Sequence, residues 1–321
     1  MKIVLAGLLL GAALATPVVA LAKGARPAIV QNYEPDPAIW LLRDEDTTIY
    51  LLGTFHVLPA GFHWRSPRLD GIVAAADELV VESVEDAEAA SEVALFADLL
   101  GSLDKRPPVS EQLSPPNRRK WLALGKSVGL PPEYFDRLPP LLAMFGMASE
   151  LVSEETGSTA EFGVETVLEA DFRRAGRPIG SIESATEVLA SLLAIDEGLL
   201  IKELDRELSA WDGDSLTAFF APEPDEAEAA AGAAEESPLA AEHTWAQGRE
   251  IDDDLFGDTA FGKVMTRVLL EDRNRAWAGW LERRLEVPGT VLVAVGAAHF
   301  EGASSVQVML AERGLAATRQ N

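Results

Sequence analysis

The chain contains no cysteine, and this absence excludes several kinds of chemistry. No disulfide can form, no thiolate can bind a metal ion, and no lipidated cysteine can anchor the chain to a membrane. Histidine is almost as scarce, with four residues among 321. Two histidines in one repeated local context are therefore informative.

Basic residues are also few, with 27 lysines and arginines against 52 aspartates and glutamates, which gives a formal net charge of −25. Such an acidic surface disfavours nucleic acid and anionic lipid as partners. We interpret the acidic excess as solvated faces that keep the protein in solution. It does not identify a substrate.

The N-terminus lacks an apolar run typical of a membrane span, which needs about 20 residues. Lys2 precedes an uncharged apolar stretch from Ile3 to Ala15, and Ala20-Leu21-Ala22 has the small residues of a cleavage site. This pattern predicts a signal peptide over residues 1–22, with an uncleaved anchor as the alternative. A removed signal peptide implies a periplasmic or secreted protein with no stable membrane span.

A repeated motif is present near opposite ends of the chain. Gly53-Thr54-Phe55-His56 follows the apolar run Ile49–Leu52, and Gly296-Ala297-Ala298-His299 follows the apolar run Val291–Val295. Ligands of helix-covered sheets bind beyond the carboxyl ends of the strands, and imidazole is the commonest metal ligand. We therefore predict that the two histidines meet at one site. A residue at such an edge is expected to be partly accessible to solvent, and this expectation applies to His299.

The order of the predicted elements indicates an α/β (α+β) fold. A β-hairpin and a β–loop–α–β unit come first, a large helical middle section follows, and a strand and a helix close the chain. Because the repeated motif belongs to the two outer parts, we predict a single domain over residues 23–321, with the helical middle as an insertion or cap. Residues 221–237 are almost only Ala, Glu, Asp, Pro and Gly, and they are predicted to form a flexible acidic loop.

Four polar residues share one context, because each ends or closely follows a short apolar strand: His56, Glu82, Glu183 and His299. Two histidines and a carboxylate at converging strand ends are typical of hydrolytic zinc sites and of facial triads with open positions. A remaining glutamate could serve as general base. Taken singly, a residue of this kind more often has a solvated or structural role.

The motifs that surround these residues resemble a known family. Leu51 to Pro59, Val80 to Ser83, Phe162 to Thr166, Ser181 to Ser184, Glu271 to Trp277 and Val293 to Gly302 occur in the order seen in the TraB/PrgY/GumN family, whose relatives include the TIKI metalloproteases. The resemblance implies a central mixed sheet wrapped by helices, similar to the erythromycin-esterase/ChaN-like fold. It also implies a divalent metal ion, with Mn, Co and Zn as candidates.

The resemblance assigns roles residue by residue. It points to His56, Glu82 and His299 as metal ligands, and to Glu165 or Glu183 as the proton acceptor. Arg273 is then expected to stabilise negative charge on the substrate. The alternative for Arg273 is an ion pair with Glu165 or Glu183 that holds its helix in place.

The leading hypothesis is a secreted or periplasmic metal-dependent hydrolase, peptidase-like, with a peptide or small-molecule substrate in the cell envelope. One alternative is an esterase-like hydrolase that needs no metal and uses a histidine as base. Another is an envelope protein that binds a ligand in the same pocket without catalysis.

Overall fold

The computed structural model describes residues 29–84, 94, 97–99, 101–127, 131–213, 215–220, 237–251, 256–257 and 259–320. The predicted signal peptide, residues 1–22, lies outside the described residues, and so does all but the last residue of the predicted loop 221–237.

The centre of the molecule is a mixed six-stranded sheet with the strand order β6-β4-β7-β2-β1-β8, which confirms the α/β class. The strands β6, β4, β7 and β2 run parallel, whereas β1 pairs antiparallel with both β2 and β8. Two further short strands, β3 and β5, pair with each other in a small second sheet. The strand bounds are β1 Ile39–Arg43, β2 Thr47–Thr54, β3 Leu58–Pro59, β4 Glu78–Val81, β5 Ser158–Thr159, β6 Ile179–Ser181, β7 Gly289–Gly296 and β8 Thr318–Gln320.

Strand β7 is apolar on both faces because it lies inside the sheet and helices cover both of its sides. Val291, Val293 and Val295 pack into one hydrophobic cluster, and Leu292 and Ala294 pack into the other. A continuous apolar run of this kind is typical of a buried parallel strand.

Helices cover the sheet and form the large middle section that the sequence predicts. Ser66 caps the first helix by accepting a hydrogen bond from the Leu69 amide, and Gly176 ends another helix in a left-handed conformation, with φ of 66°. The helices are α1 Pro67–Ala75, α2 Val109–Gln112, α3 Pro115–Ser127, α4 Pro132–Phe135, α5 Pro140–Thr156, α6 Val164–Ala175, α7 Ala185–Leu193, α8 Glu197–Ala210, α9 Leu216–Phe220, α10 Ala240–Ala246, α11 Ala260–Thr266, α12 Asp272–Arg284 and α13 Val306–Glu312. Within the described ranges, no helix is both long enough and apolar enough to cross a membrane.

The sequence pattern predicts one uninterrupted helix from about residue 259 to 285, and this expectation is wrong in one detail. A π-helical turn, Arg267–Glu271, separates α11 from α12, and the Asp272 amide donates to the Arg267 carbonyl five residues back. Such turns recur at functional sites because they change the direction in which the following side chains point.

The helical middle has its own apolar clusters. One is centred on Trp121 and Phe135, between α3, α4, α5 and α8. Another contains Phe145 of α5, Leu269 of the π-helical turn and Ala298, which directly precedes His299. The second cluster therefore joins the helical middle to the end of β7.

A buried carboxyl group in α10 makes the stability of the fold depend on pH. Burial raises the pKa of Glu242 from its ordinary value of 4.5 to about 7. The folded state therefore binds a proton more tightly than the unfolded state does, and stability falls as pH rises from 4.5 to about 7.

We predict that Glu242→Gln increases the free energy of unfolding at about pH 8 by up to about 3 kcal/mol, since each pKa unit corresponds to about 1.4 kcal/mol. The gain should nearly vanish at about pH 3.5, below the ordinary pKa of 4.5, where the wild-type carboxyl group is protonated in both the folded and the unfolded state. Urea unfolding of both proteins at the two pH values measures the difference. Glu45→Gln, in the exposed turn between β1 and β2, is the control and should show no such pH-dependent gain. An equal effect of Glu242→Gln at both pH values would contradict the prediction.

Candidate metal centre at the strand ends

All four parallel strands deliver a polar group to the same edge of the sheet. Strand β7 lies between β2 and β4, with Thr54 opposite Gly296 and Val81 opposite Ala294. The two GxxH motifs therefore follow adjacent strand ends, although they are far apart in sequence. Glu82 follows β4, on the other side of β7, and Glu183 follows β6.

His56 is held by the start of α6. Its Nδ1 lies 2.7 Å from Oε1 of Glu165, and that same oxygen accepts a hydrogen bond from the Thr54 hydroxyl. The backbone approaches closely here, because a Cβ on Gly163 would lie 2.0 Å from the His56 carbonyl oxygen. Only glycine permits this approach, which brings Glu165 in the first turn of α6 next to His56.

Glu82 lies at the centre of the site. Its Oε1 accepts a hydrogen bond from the Gly296 amide at 2.7 Å, and its Oε2 accepts one from Nη2 of Arg273 at 2.5 Å. The same Oε1 lies 3.6 Å from Nε2 of His56 and 4.0 Å from Nε2 of His299. One carboxylate oxygen therefore faces both histidines.

Arg273 pairs with two carboxylates, and it is 7% exposed. Besides Glu82 it binds Glu183, which receives hydrogen bonds from Nε and Nη2 of Arg273 and from the Trp277 indole at 2.9 Å. Nη1 of Arg273 donates to the Leu269 carbonyl of the π-helical turn at 3.1 Å. The ion pair with Glu183 is one of the alternatives that the sequence offers, whereas the pair with Glu82 is not anticipated by it.

His299 is completely buried, so the expectation of partial solvent access is wrong. The short 3₁₀ helix Ala297–Phe300 turns the ring toward α12, where it packs on Trp277 with ring centroids 4.1 Å apart. Its Nδ1 lies 2.5 Å from Oδ1 of Asn274.

Three buried polar atoms of the site have no hydrogen-bond partner within the described part of the chain: Nε2 of His56, Nε2 of His299 and Oε2 of Glu165. Each such atom costs about 1–3 kcal/mol if nothing pairs with it. These side chains also converge on Gly296, because a Cβ on this residue would lie 3.1 Å from Oε1 of Glu82, 3.3 Å from Nε2 of His56 and 3.6 Å from Cδ2 of His299.

The residues fit a divalent cation by their chemistry and by their convergence. His56, Glu82 and Glu165 each offer a ligand atom, and these atoms lie within 4.8 Å of one another. This group differs in one residue from the predicted set of His56, Glu82 and His299. His299 nevertheless presents an unpartnered nitrogen toward the same Glu82 oxygen.

Burial and local charges shift the pKa values of three groups that face one another. Burial opposes the charged form of His56, but Glu165 and Glu82 raise its pKa to about 9. Burial likewise opposes ionisation of Glu82, but Arg273 and the two histidines lower its pKa to about 2. Burial, with the positive charge of Arg273, holds the pKa of His299 well below its ordinary value.

Sequence reasoning assigned no role to four residues that the structure brings into the site. Thr54 and Gly296 belong to the GxxH motifs, so their position was a usable signal. Trp277 lies one helical turn beyond Arg273 on the same face of α12, whereas Asn274 directly follows Arg273 and lies on a neighbouring face.

Comparison with known proteins identifies one family. A model described as the TraB/PrgY/gumN family matches residues 38–319, nearly the whole chain. No curated protein and no solved structure matches the chain.

We predict that Gly296→Ala abolishes or weakens divalent-ion binding at least about tenfold, because the new Cβ occupies the space between Glu82 and His56. The Gly296 backbone, with φ of −48° and ψ of 133°, accommodates alanine without strain. Titration calorimetry with Mn²⁺, Co²⁺ and Zn²⁺ measures the affinity. Gly180→Ala, in β6, is the matched control, since its Cβ makes only ordinary contacts of 3.4 Å or more. Unchanged affinity in the Gly296 variant would rule out this space as the ion site.

Proposed function

The chain belongs to the TraB/PrgY/gumN family, and on this basis we propose that it is a divalent-metal-dependent hydrolase of the cell envelope that cleaves peptide or other amide bonds. The observation that carries the proposal is the pair of unpartnered Nε2 atoms, of His56 and His299, that face Oε1 of Glu82. The N-terminal pattern of Lys2, an apolar stretch and Ala20-Leu21-Ala22 supports export to the periplasm or the exterior.

His56, Glu82 and His299 would hold the ion, with Glu165 adjacent to it. The site contains three carboxylates, those of Glu82, Glu165 and Glu183, of which two pair with the guanidinium of Arg273, so the ionised site carries an excess of negative charge. A divalent cation offsets this excess. Nitrogen and carboxylate ligands suit Mn, Co and Zn, and the choice among them belongs to the proposal.

The ion would supply Lewis acidity, which polarises a substrate carbonyl and activates water. Glu165 is the better candidate for proton acceptor, because its Oε2 is buried without a partner while its Oε1 is held by His56 and Thr54. Both oxygens of Glu183 already accept hydrogen bonds from Arg273 or Trp277. Glu183 therefore acts by holding Arg273, and Arg273 by holding Glu82.

A second candidate function needs no metal, and one contact favours it. The Glu165–His56 pair has the geometry of a carboxylate that orients a histidine base, with Nε2 of His56 left free to accept a proton. Without an ion, however, the pKa of His56 is raised to about 9. About 1% of the imidazole is then neutral at neutral pH, which makes it a poor base there.

Elemental analysis and reconstitution separate these functions. We expect the purified protein to contain about one divalent ion per chain, and a chelator to abolish cleavage of a mixed peptide library. Adding back Mn²⁺, Co²⁺ or Zn²⁺ should restore cleavage and raise the melting temperature, and above the Kd of the ion this rise should grow with the logarithm of the ion concentration. Full cleavage activity in chelated protein would favour the metal-independent hydrolase. Ion binding without cleavage of any amide or ester library would favour a binding protein.

We predict that Glu165→Gln lowers kcat by about 10²–10⁴-fold, because the amide keeps the shape of the side chain and removes the proton acceptor. Metal affinity should fall much less than kcat does. Glu169→Gln, one turn further along α6 and paired with Arg173, is the control that should leave both quantities unchanged. A Glu165 variant with wild-type kcat would remove this residue from the chemical step.

A further inference from the structure

Asn274 contacts His299 through both the ring and the backbone. It is 1% exposed, and its Oδ1 lies 2.5 Å from Nδ1 of His299. Its Nδ2 donates to the Ser304 carbonyl at 2.8 Å and to the His299 carbonyl at 3.4 Å. One side chain of α12 therefore ties together the ring and the loop that follows it.

These contacts determine which way the Asn274 amide points. In the opposite orientation Oδ1 would face the carbonyl oxygens of Ser304 and His299, and three acceptors would meet without a proton among them. The amide nitrogen of Asn274 therefore donates to the two backbone carbonyl groups. Oδ1 remains for the ring, and it can only accept.

Because Oδ1 only accepts, Nδ1 of His299 has to carry the proton. We propose that Asn274 is a positioning residue that locks His299 in the Nδ1–H tautomer and presents a bare Nε2 toward Glu82 and the ion. The role of Nε2 in binding an ion rests on the proposed function, whereas the tautomer of His299 follows from the contacts of Asn274 alone. Packing of Trp277 against the ring, at 4.1 Å between centroids, fixes the ring plane as well.

The other histidine of the site is also oriented by a bond at its Nδ1, which a different kind of group accepts. Nδ1 of His56 lies 2.7 Å from the Glu165 carboxylate, which also only accepts, and Nε2 of His56 is likewise unpartnered among the described residues. A neutral amide performs this task for His299, which is buried beside Arg273 and Glu82. Ligating histidines are generally oriented by such a bond from the second ring nitrogen, and its loss costs about 10–100-fold in metal affinity.

Nitrogen NMR of protein labelled at the histidine side chains tests the inference without any metal. Four histidines give few signals, and His299→Ala identifies those of His299. In chelated wild-type protein we expect a protonated Nδ1 and an unprotonated Nε2 for His299. Asn274→Leu should give a mixture of tautomers and weaken Zn²⁺ binding about 10–100-fold. Asn274→Asp should keep the Nδ1 proton, because a carboxylate also accepts from it.

Asn117→Leu is the matched control, since Asn117 is an equally buried amide whose hydrogen-bond partners, Asp205 and Ser209, are not residues of the metal centre. It should leave the His299 signals and Zn²⁺ affinity unchanged. An Nε2–H tautomer in the wild-type protein overturns the inference whether or not the leucine variant folds. An Asn274→Leu protein that keeps the wild-type tautomer of His299 and the wild-type affinity for Zn²⁺ also overturns it. If the wild-type protein binds no divalent ion but shows the Nδ1–H tautomer, the proposed function fails while the assignment of Asn274 to the tautomer holds.

Discussion

The parallel pairing of β2 with β7 is the contact on which the site depends. Its register places Thr54 opposite Gly296, so the residues that follow the two strands leave the sheet side by side. Strand β4 pairs with the other edge of β7, which brings Glu82 to the same place. Since β7 is made last of the four parallel strands, the site is incomplete until the C-terminal part of the chain has joined the sheet.

Compensation of charge is the second organising principle. A buried guanidinium is costly unless it is paired, and Arg273 is paired with Glu82 and Glu183. Because of these contacts and the hydrogen bond from the Gly296 amide, the oxygens of Glu82 and Glu183 all accept hydrogen bonds. Glu165 is then the carboxylate of the described site that keeps an unpartnered oxygen. The π-helical turn contributes by supplying the Leu269 carbonyl to the same guanidinium. The helix, the ion pairs and the strand ends therefore stabilise one arrangement together.

Local patterns in the sequence predicted the parts of the fold that local forces determine. The β1–β2 hairpin, α1, β4 and β7 follow from apolar periodicity, caps and turns, and the strand-end rule brought His56, Glu82, Glu183 and His299 to one edge. The family resemblance added Glu165 and Arg273, which the structure also brings there, while their chemical roles stay predictions. The match to the family over residues 38–319 confirms the resemblance.

Long-range contacts account for what could not be predicted. The β3–β5 sheet joins two residues near position 58 to two near position 158, and so short a pairing has no signature in either segment. The burial of His299 depends on a 3₁₀ turn and on α12 packing above it. The ion pair between Arg273 and Glu82 depends on the strand order, which places these two residues together only after β7 inserts beside β4.

The two histidines of the site are unequally buried, so the site has a side that faces solvent and a side that is closed. The side chain of His56 is 21% exposed and that of Glu82 is 12% exposed, whereas His299 has no exposed surface. A solute arriving from bulk water therefore meets His56 first and His299 last. Loading and release would follow a fixed sequence of contacts, in which the innermost bond forms at the end of entry and breaks at the start of exit. The lifetime of a bound solute would then depend on its contact with the buried His299, and the rate of its capture on the more exposed His56 and Glu82.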